Sequence, residues 1–413
     1  MFSRLRPGKA RDDPTREDED DKQQDDGKQK VPYKLQRPAN TALRQQRLKA
    51  WQPLLTHSTV LPLLFGIGVL FAIMGGVLYH FHLQVNQVEI NYTNCRYLQP
   101  NAPPSTIPKS KYKYYFRNMN MSEFREPQWQ MQPIPRRPPT QPSFRCTLHF
   151  SVPNTMDQSV FLYYKLTNYF QNHRRYIKNL DYQQLMGHPR KKGDLQKQEC
   201  KPLGNDTHLN KAIYPCGLIA NSVFNDTFAD PLLQLPDGKT QSYTMSEKNI
   251  AWPGEKNRYR VTQYKAEDIV PPPFWRGSEG GPFSYPDHYE PGKIFDPTTN
   301  EHFQVWMQTA AFPTFNKLYK RNDERSMQPG RYTLVIEDNY PVHMFHGTKW
   351  VVLTTTTWMG GRNAMIGGSF IGLAGLCVLL GVAFTFKQLV RPRQVGDLNY
   401  LSWNRPSRPS KQR

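Results

Sequence analysis

Residues Thr59–Tyr79 read TVLPLLFGIGVLFAIMGGVLY. The stretch carries no charge, and as a helix its 21 residues rise about 32 Å, roughly the hydrocarbon thickness of a bilayer. In lipid, one isolated stretch satisfies all its backbone N–H and C=O groups only as a helix. A core helix of a soluble protein would usually carry a polar stripe, which this one lacks. A second stretch, Met365–Phe386 (MIGGSFIGLAGLCVLLGVAFTF), repeats the pattern near the other end. The chain therefore divides into a disordered cytosolic tail (1–57), a transmembrane helix (58–81), an exoplasmic domain (82–364), a second transmembrane helix (365–386) and a short cytosolic tail (387–413).

Charge sets the orientation. Lys28, Lys30, Lys34, Arg37, Arg44, Arg47 and Lys49 precede the first span with no acid after Asp26, and Lys387, Arg391 and Arg393 follow the second. Short basic flanks stay in the cytosol, so both termini are expected there. The first span starts too far into the chain, and lacks the small-residue cleavage site, to be a signal peptide. The net charge of +20 alone would suit nucleic acid. The basic residues are spread along the chain, however, and no zinc-finger or RNA-binding signature accompanies them, so nucleic acid is not an expected partner.

Four of the five cysteines, Cys95, Cys146, Cys200 and Cys216, lie between the spans, and Cys377 lies inside the second. Four cysteines allow three connectivities. The expectation is pairing of sequence neighbours, Cys95 with Cys146 and Cys200 with Cys216. A metal site is the alternative, without CxxC or HxxxH spacing to support it. The acceptor sequons at Asn91, Asn120, Asn205 and Asn225 also fall between the spans and none falls outside, as expected for a glycosylated exoplasmic domain.

Along the chain, the acidic cluster Glu17–Asp26 and the basic run 28–49 read as a solvated tail or a cytosolic contact. Gly68, Ala72 and Gly76 form a small-residue ridge on the first span, and Gly368 and Gly372 form one on the second. These are candidates for close helix packing, with each other or with a partner. Leu83–Ile90 and Cys146–Val152 alternate and read as strands. Between them, 96–145 is a proline-dense arm expected to be irregular and held at its base by a disulfide. Phe161–Lys178 places Leu162, Leu166, Tyr169, His173 and Ile177 on one helical face, and His173, Arg174 and Arg175 read as the ion-paired end of that helix. Glu301–Tyr319 reads as a strand, a bend at Pro313 and a helical turn. Arg331–Asp338 and Thr348–Thr357 are β-branched strands. Turn residues dominate 231–300, which together with the short strands implies a mainly-β domain.

The sequence has no GxSxG elbow, HExxH helix or P-loop. The histidines are too scattered to form a ligand set, and nothing singles out Glu279, Asp287 or Glu290 as a hydrolytic pair. No cofactor, metal or catalytic residue is expected.

Several blocks then converge. Tyr169–Tyr176 (YFQNHRRY), Pro215–Thr227 (PCGLIANSVFNDT), Ile250–Trp252, Glu301–Tyr319, Asn339–Val342 and Gly347–Asn363 occur in this order between two spans. In this the chain resembles the Cdc-fifty (Lem-three) family, accessory β-subunits of type-IV P-type ATPases, the phospholipid flippases. The resemblance implies an antiparallel β-sandwich-like exoplasmic domain with short helices. It also implies a non-catalytic, chaperone-like role: heterodimer formation with the ATPase, its exit from the endoplasmic reticulum, and phospholipid translocation to the cytosolic leaflet. Residence in the endoplasmic reticulum, Golgi or endosome, or plasma membrane would follow. The rival expectation is a membrane-anchored exoplasmic receptor or adhesion protein using the aromatic loop Phe274–Tyr289.

Overall fold

A computed structural model describes residues 41–48, 56–134, 143–197, 200–277 and 283–392. In chain order, helix α1 (His57–Gln84) is followed by strands β1 (Gln87–Asn91), β2 (Ser105–Thr106), β3 (Tyr112–Tyr115), β4 (Gln128–Ile134), β5 (Ser143–Val152) and β6 (Val160–Leu166). Short helices α2 (Arg174–Ile177), α3 (Tyr182–Leu185) and α4 (Lys192–Lys197) precede β7 (Asn205–Asp206) and β8 (Lys211–Ile213). Then come α5 (Leu218–Asn221), β9 (Thr227–Phe228), β10 (Leu232–Gln234), β11 (Thr240–Ser242), α6 (Pro253–Lys256) and β12 (Ile269–Val270). Helix α7 (Glu301–Met307), strands β13 (Phe315–Asn322), β14 (Gly330–Asp338) and β15 (Lys349–Thr355), and helix α8 (Ala364–Val390) complete the chain. The acidic cluster Glu17–Asp26, most of the basic run, Glu279 and the tail beyond Pro392 lie outside the described residues.

Two antiparallel sheets form the domain between the two long helices. The first runs β13-β6-β15-β1-β3; the second runs β11-β10-β14-β5-β4-β2, with β9 added to β14. Alternate residues face inward: Leu162, Tyr164 and Leu166 of β6 and Val351 and Leu353 of β15 meet Leu148 and Phe150 of β5 and Leu334 and Ile336 of β14 in one apolar core. This is the β-sandwich expected, with a small third sheet, β12-β8-β7, at its side.

Helix α1 stops at Gln84 and β1 starts at Gln87, so the strand continues almost directly from the membrane helix. Gln87 pairs with Thr354 and Tyr115, and Thr355 with Val160. This end of the first sheet therefore stands beside the helices. Its other end, at Asn91, Leu166, Phe315 and Lys349, lies roughly 20 Å farther along the strands.

Three local expectations need correction. Phe161–Lys178 is a strand followed by a turn, with helix only at α2. The same apolar residues fit period two, with Val160, Leu162, Tyr164 and Leu166 buried, and the run FLYY favours a pleated surface. Glu301–Tyr319 holds a helix and then a strand, the reverse of the order expected. Asn300 Oδ1 accepts from Phe303 N at 2.8 Å and caps α7. The inward position of Lys317 hid the alternation of β13. The proline arm is not a loose insertion. β4 lies beside β5 through the full register Gln128↔His149 to Ile134↔Ser143. Pro133 is tolerated because β2 covers β4 only at Gln128 and Trp129, leaving the proline on an open edge.

Candidate functional site

The two membrane helices pack against each other through small residues. An added Cβ at Gly75 would lie 2.8 Å from Ile371 Cγ1, at Gly68 3.2 Å from Val378 Cγ2, at Gly367 2.8 Å from Tyr79 N and at Gly381 2.9 Å from Phe65 Cζ. On α8 the buried set is Gly367, Ala374 and Gly381, and on α1 Gly68 and Gly75. Both sets recur at seven-residue intervals, which keep one helix face toward its neighbour; steps of four rotate off it. Of the sequence candidates only Gly68 sits in this seam. Gly76, Gly368 and Gly372 meet nothing within 4 Å, and Ala72 is exposed.

Above the helices, the two sheets are tied by charge. Lys349 on β15 and Asp226 before β9 are 1% and 0% exposed, and Asp338 at the end of β14 is 1% exposed. Lys349 Nζ donates to Asp226 Oδ2 and Asp338 Oδ1, both at 2.7 Å, and to the Tyr340 carbonyl at 3.0 Å. Asp226 also accepts from Tyr92 Oη at 2.8 Å and from the backbone N–H groups of Asn339 and Tyr340. Arg96 Nη2 donates to Asp338 at 2.7 Å. Two cations thus balance two carboxylates. Burial pushes the Asp226 carboxyl up, against the pull of Lys349. Such a cluster survives burial only because its charges are paired and hydrogen-bonded. Sequence reading missed it: Asp226 was the middle of a sequon, and Lys349 the start of a strand.

Cys95 bonds to Cys146, joining the turn after β1 to β5, and Cys200 bonds to Cys216. The first bond links the two sheets beside the ion cluster, because Cys146 pairs with Ile336 of β14. The sequon asparagines differ in exposure. Asn120 is exposed and Asn205 half-buried, whereas Asn91 and Asn225 are each only 6% exposed.

Lys317, which the sequence did not single out, is placed for structure. Lys317 Nζ donates to the carbonyls of Val305, Trp306 and Gln308 and so caps the C-terminus of α7. Arg174 and Arg175 are exposed on α2, without the ion pairs expected of them among the described residues. Glu290 is paired with exposed Lys293 at 2.7 Å, which holds its carboxyl below the usual range and makes it a poor proton donor. The loop Phe274–Tyr289 does not present its large aromatics outward: Trp275, Phe283 and Tyr289 are buried at 0%, 2% and 3% exposure. Phe274 and Tyr285 are half-buried, so the described part of the loop offers no fully exposed aromatic for the receptor surface expected there.

Residues 78–394 match the model of the LEM3 (ligand-effect modulator 3) family / CDC50 family. The chain belongs to this family. It is 40% identical over 376 residues to the phospholipid-transporting ATPase accessory subunit CRF1 of Saccharomyces cerevisiae, covering 91% of each chain. It is 35% identical to the phospholipid-transporting ATPase accessory subunit CDC50 of Chaetomium thermophilum, over 93% of this chain and 95% of that one. It is 36% identical to cell cycle control protein 50A of Mus musculus, over 84% and 88%. The family match begins near the end of α1 and spans the sandwich and α8, so the ion cluster and the disulfides lie within it.

Proposed function

We propose that this LEM3/CDC50 family member is the non-catalytic β-subunit of a phospholipid flippase. It binds a type-IV P-type ATPase and supports its folding, its exit from the endoplasmic reticulum and its translocation of phospholipid to the cytosolic leaflet. The observation that carries the reading is membership of the family along nearly the whole chain, with relatives named as accessory subunits of phospholipid-transporting ATPases. The architecture agrees: two helices fixed to a cross-linked sandwich provide binding surfaces. A partner that binds only the folded pump stabilises it by mass action, without chemistry of its own.

Both termini are cytosolic in this reading, from the basic flanks Lys387 and Arg391. The outward ridge of Ala72, Gly76, Gly368 and Gly372, unused in the α1–α8 seam, faces a helix of the pump. Carbohydrate sits at Asn120 and Asn205, where solvent reaches the side chain.

Purification of the tagged full-length chain in mild detergent tests the assignment. A stoichiometric P-type ATPase is expected in the eluate. Its absence under conditions that keep other membrane complexes intact would refute the proposal.

A further inference from the structure

The membrane-distal end of the first sheet has a composition that neither the sandwich nor its anchoring requires. Four segments converge there: 92–104 after β1, 167–180 after β6, 308–314 before β13 and 339–348 before β15. They are bonded to one another. Asn168 Nδ2 donates to the Phe345 carbonyl at 2.6 Å, Asn172 Nδ2 to the Ala311 carbonyl at 2.9 Å, and Tyr169 N to the Pro313 carbonyl at 3.0 Å. Arg96 Nη1 lies 3.4 Å from His343 Nδ1.

Large apolar side chains point into solvent from each of these segments. Tyr97 is 70% exposed, Phe170 55%, Phe312 73% and Met344 73%. Burying such groups is favourable, and a cluster of them on one face is unusual for a surface with no partner. The same segments carry Arg96, Arg174, Arg175 and Lys178, and contain no Asp or Glu. Arg174, Arg175 and Lys178 are exposed. Elsewhere exposed bases are often offset by a nearby acid, as Lys239 is by Asp237 and Lys293 by Glu290.

We propose that this end is a docking surface for an acidic protein segment that carries apolar side chains and approaches from the exoplasmic side. Phe312, Phe170 and Met344 supply the apolar contact, and Arg174, Arg175 and Lys178 select the charge. The strands hold this surface roughly 20 Å beyond the sheet end that adjoins the helices. It is therefore placed for a partner standing above the bilayer. The inference does not depend on the ATPase assignment.

The test uses the full-length protein in detergent and a labelled Glu-rich synthetic peptide bearing Phe and Leu. Binding is expected to weaken as salt rises. The double variant Arg174→Glu/Arg175→Glu and, separately, Phe312→Ser should each weaken it by about tenfold or more. Lys239→Glu, in the β10–β11 turn at the opposite end of the second sheet from Asp338, should leave it unchanged, and a Lys-for-Glu version of the peptide should not bind. Retention of both disulfides and of the parent's denaturation midpoint shows that the variants are folded. The proposal is overturned by unchanged binding in both distal variants, or by equal loss in Lys239→Glu. It is also overturned if phosphatidylserine vesicles bind and the peptide does not, which would make the surface a membrane contact. Loss of self-association in the variants without any peptide binding would assign it to a second copy of the chain and would equally overturn it.

Discussion

Lys349 Nζ lies 2.7 Å from Asp338 Oδ1, and this contact joins β15 of one sheet to the end of β14 in the other. Because Lys349 also holds Asp226, removing it leaves the buried Asp226 without its cation and Asp338 with Arg96 alone. Loss of one partner from a buried pair costs about 3–5 kcal/mol, a large share of the roughly 5–15 kcal/mol that stabilises a typical domain. Lys349→Met is therefore expected to unfold the sandwich or retain the chain in the endoplasmic reticulum. Chemical denaturation of the purified protein checks this. A variant as stable as the parent would mean that the cluster contributes nothing.

The disulfides should not be equivalent. Cys95–Cys146 closes 51 residues and Cys200–Cys216 closes 16. In the chain-entropy model each removal costs about 3–4 kcal/mol, and the longer loop costs about 1 kcal/mol more. Paired Cys→Ser variants, compared by their denaturation midpoints, are expected to rank in that order.

Sequon occupancy should follow exposure. Asn120→Gln is expected to remove one glycan, seen as a mobility shift that enzymatic deglycosylation abolishes. Asn91→Gln and Asn225→Gln should show no shift, since each asparagine is 6% exposed and a glycan there would displace the sheet or the ion cluster. A glycan mapped to Asn225 by mass spectrometry would contradict the packing around Asp226.

Acidification should weaken the domain. Burial holds Lys317 down to about 7, against an ordinary value of 10.5. Burial, with the Arg331 charge, lowers His149 from 6.5. In both cases the unfolded chain binds a proton that the folded chain resists. Stability is therefore expected to rise with pH from about 7 toward 9 through Lys317, and to fall as pH drops below 6.5 through His149. Glu247, held down to about 2 chiefly by His302, stays ionised across this range and adds no slope. Melting temperatures from pH 5 to 9 should slope upward in the parent and flatten in Lys317→Met/His149→Gln.

The membrane seam makes a separable prediction. Gly75→Leu drives a side chain into Ile371 and is expected to splay α1 from α8. An added Cβ at Gly76 or Gly372 has nothing within 4 Å among the described residues, so Gly76→Leu and Gly372→Leu should leave the seam intact and reduce ATPase recovery. Cysteine crosslinking across the seam separates the two effects. Equal crosslinking in Gly75→Leu would contradict the packing described.

The spans, strands β5, β14 and β15 and the mainly-β class were legible because each depends on a local pattern: an unbroken apolar run, or β-branched alternation. Phe161–Leu166 was not, because its apolar residues fit both the helical and the extended period, and only pairing with β13 and β15 chooses. Lys317 and Lys349 were opaque for a related reason. A lysine at an inward strand position looks like a break in the pattern until its acceptors, the end of α7 or two distant aspartates, arrive from elsewhere in the chain. Small-residue ridges misled through their spacing: four-residue steps stand out in sequence, whereas the helices meet at steps of seven.

The central claim is that this chain acts by holding a lipid-translocating ATPase in its folded, delivered state. The most direct measurement is uptake of labelled phospholipid in cells deleted for the chain, with the location of the ATPase followed in parallel. Retention of the pump in the endoplasmic reticulum and loss of uptake, both restored by the parent chain and not by Lys349→Met, is the predicted result. Full uptake by a correctly delivered pump in the deleted cells would contradict it.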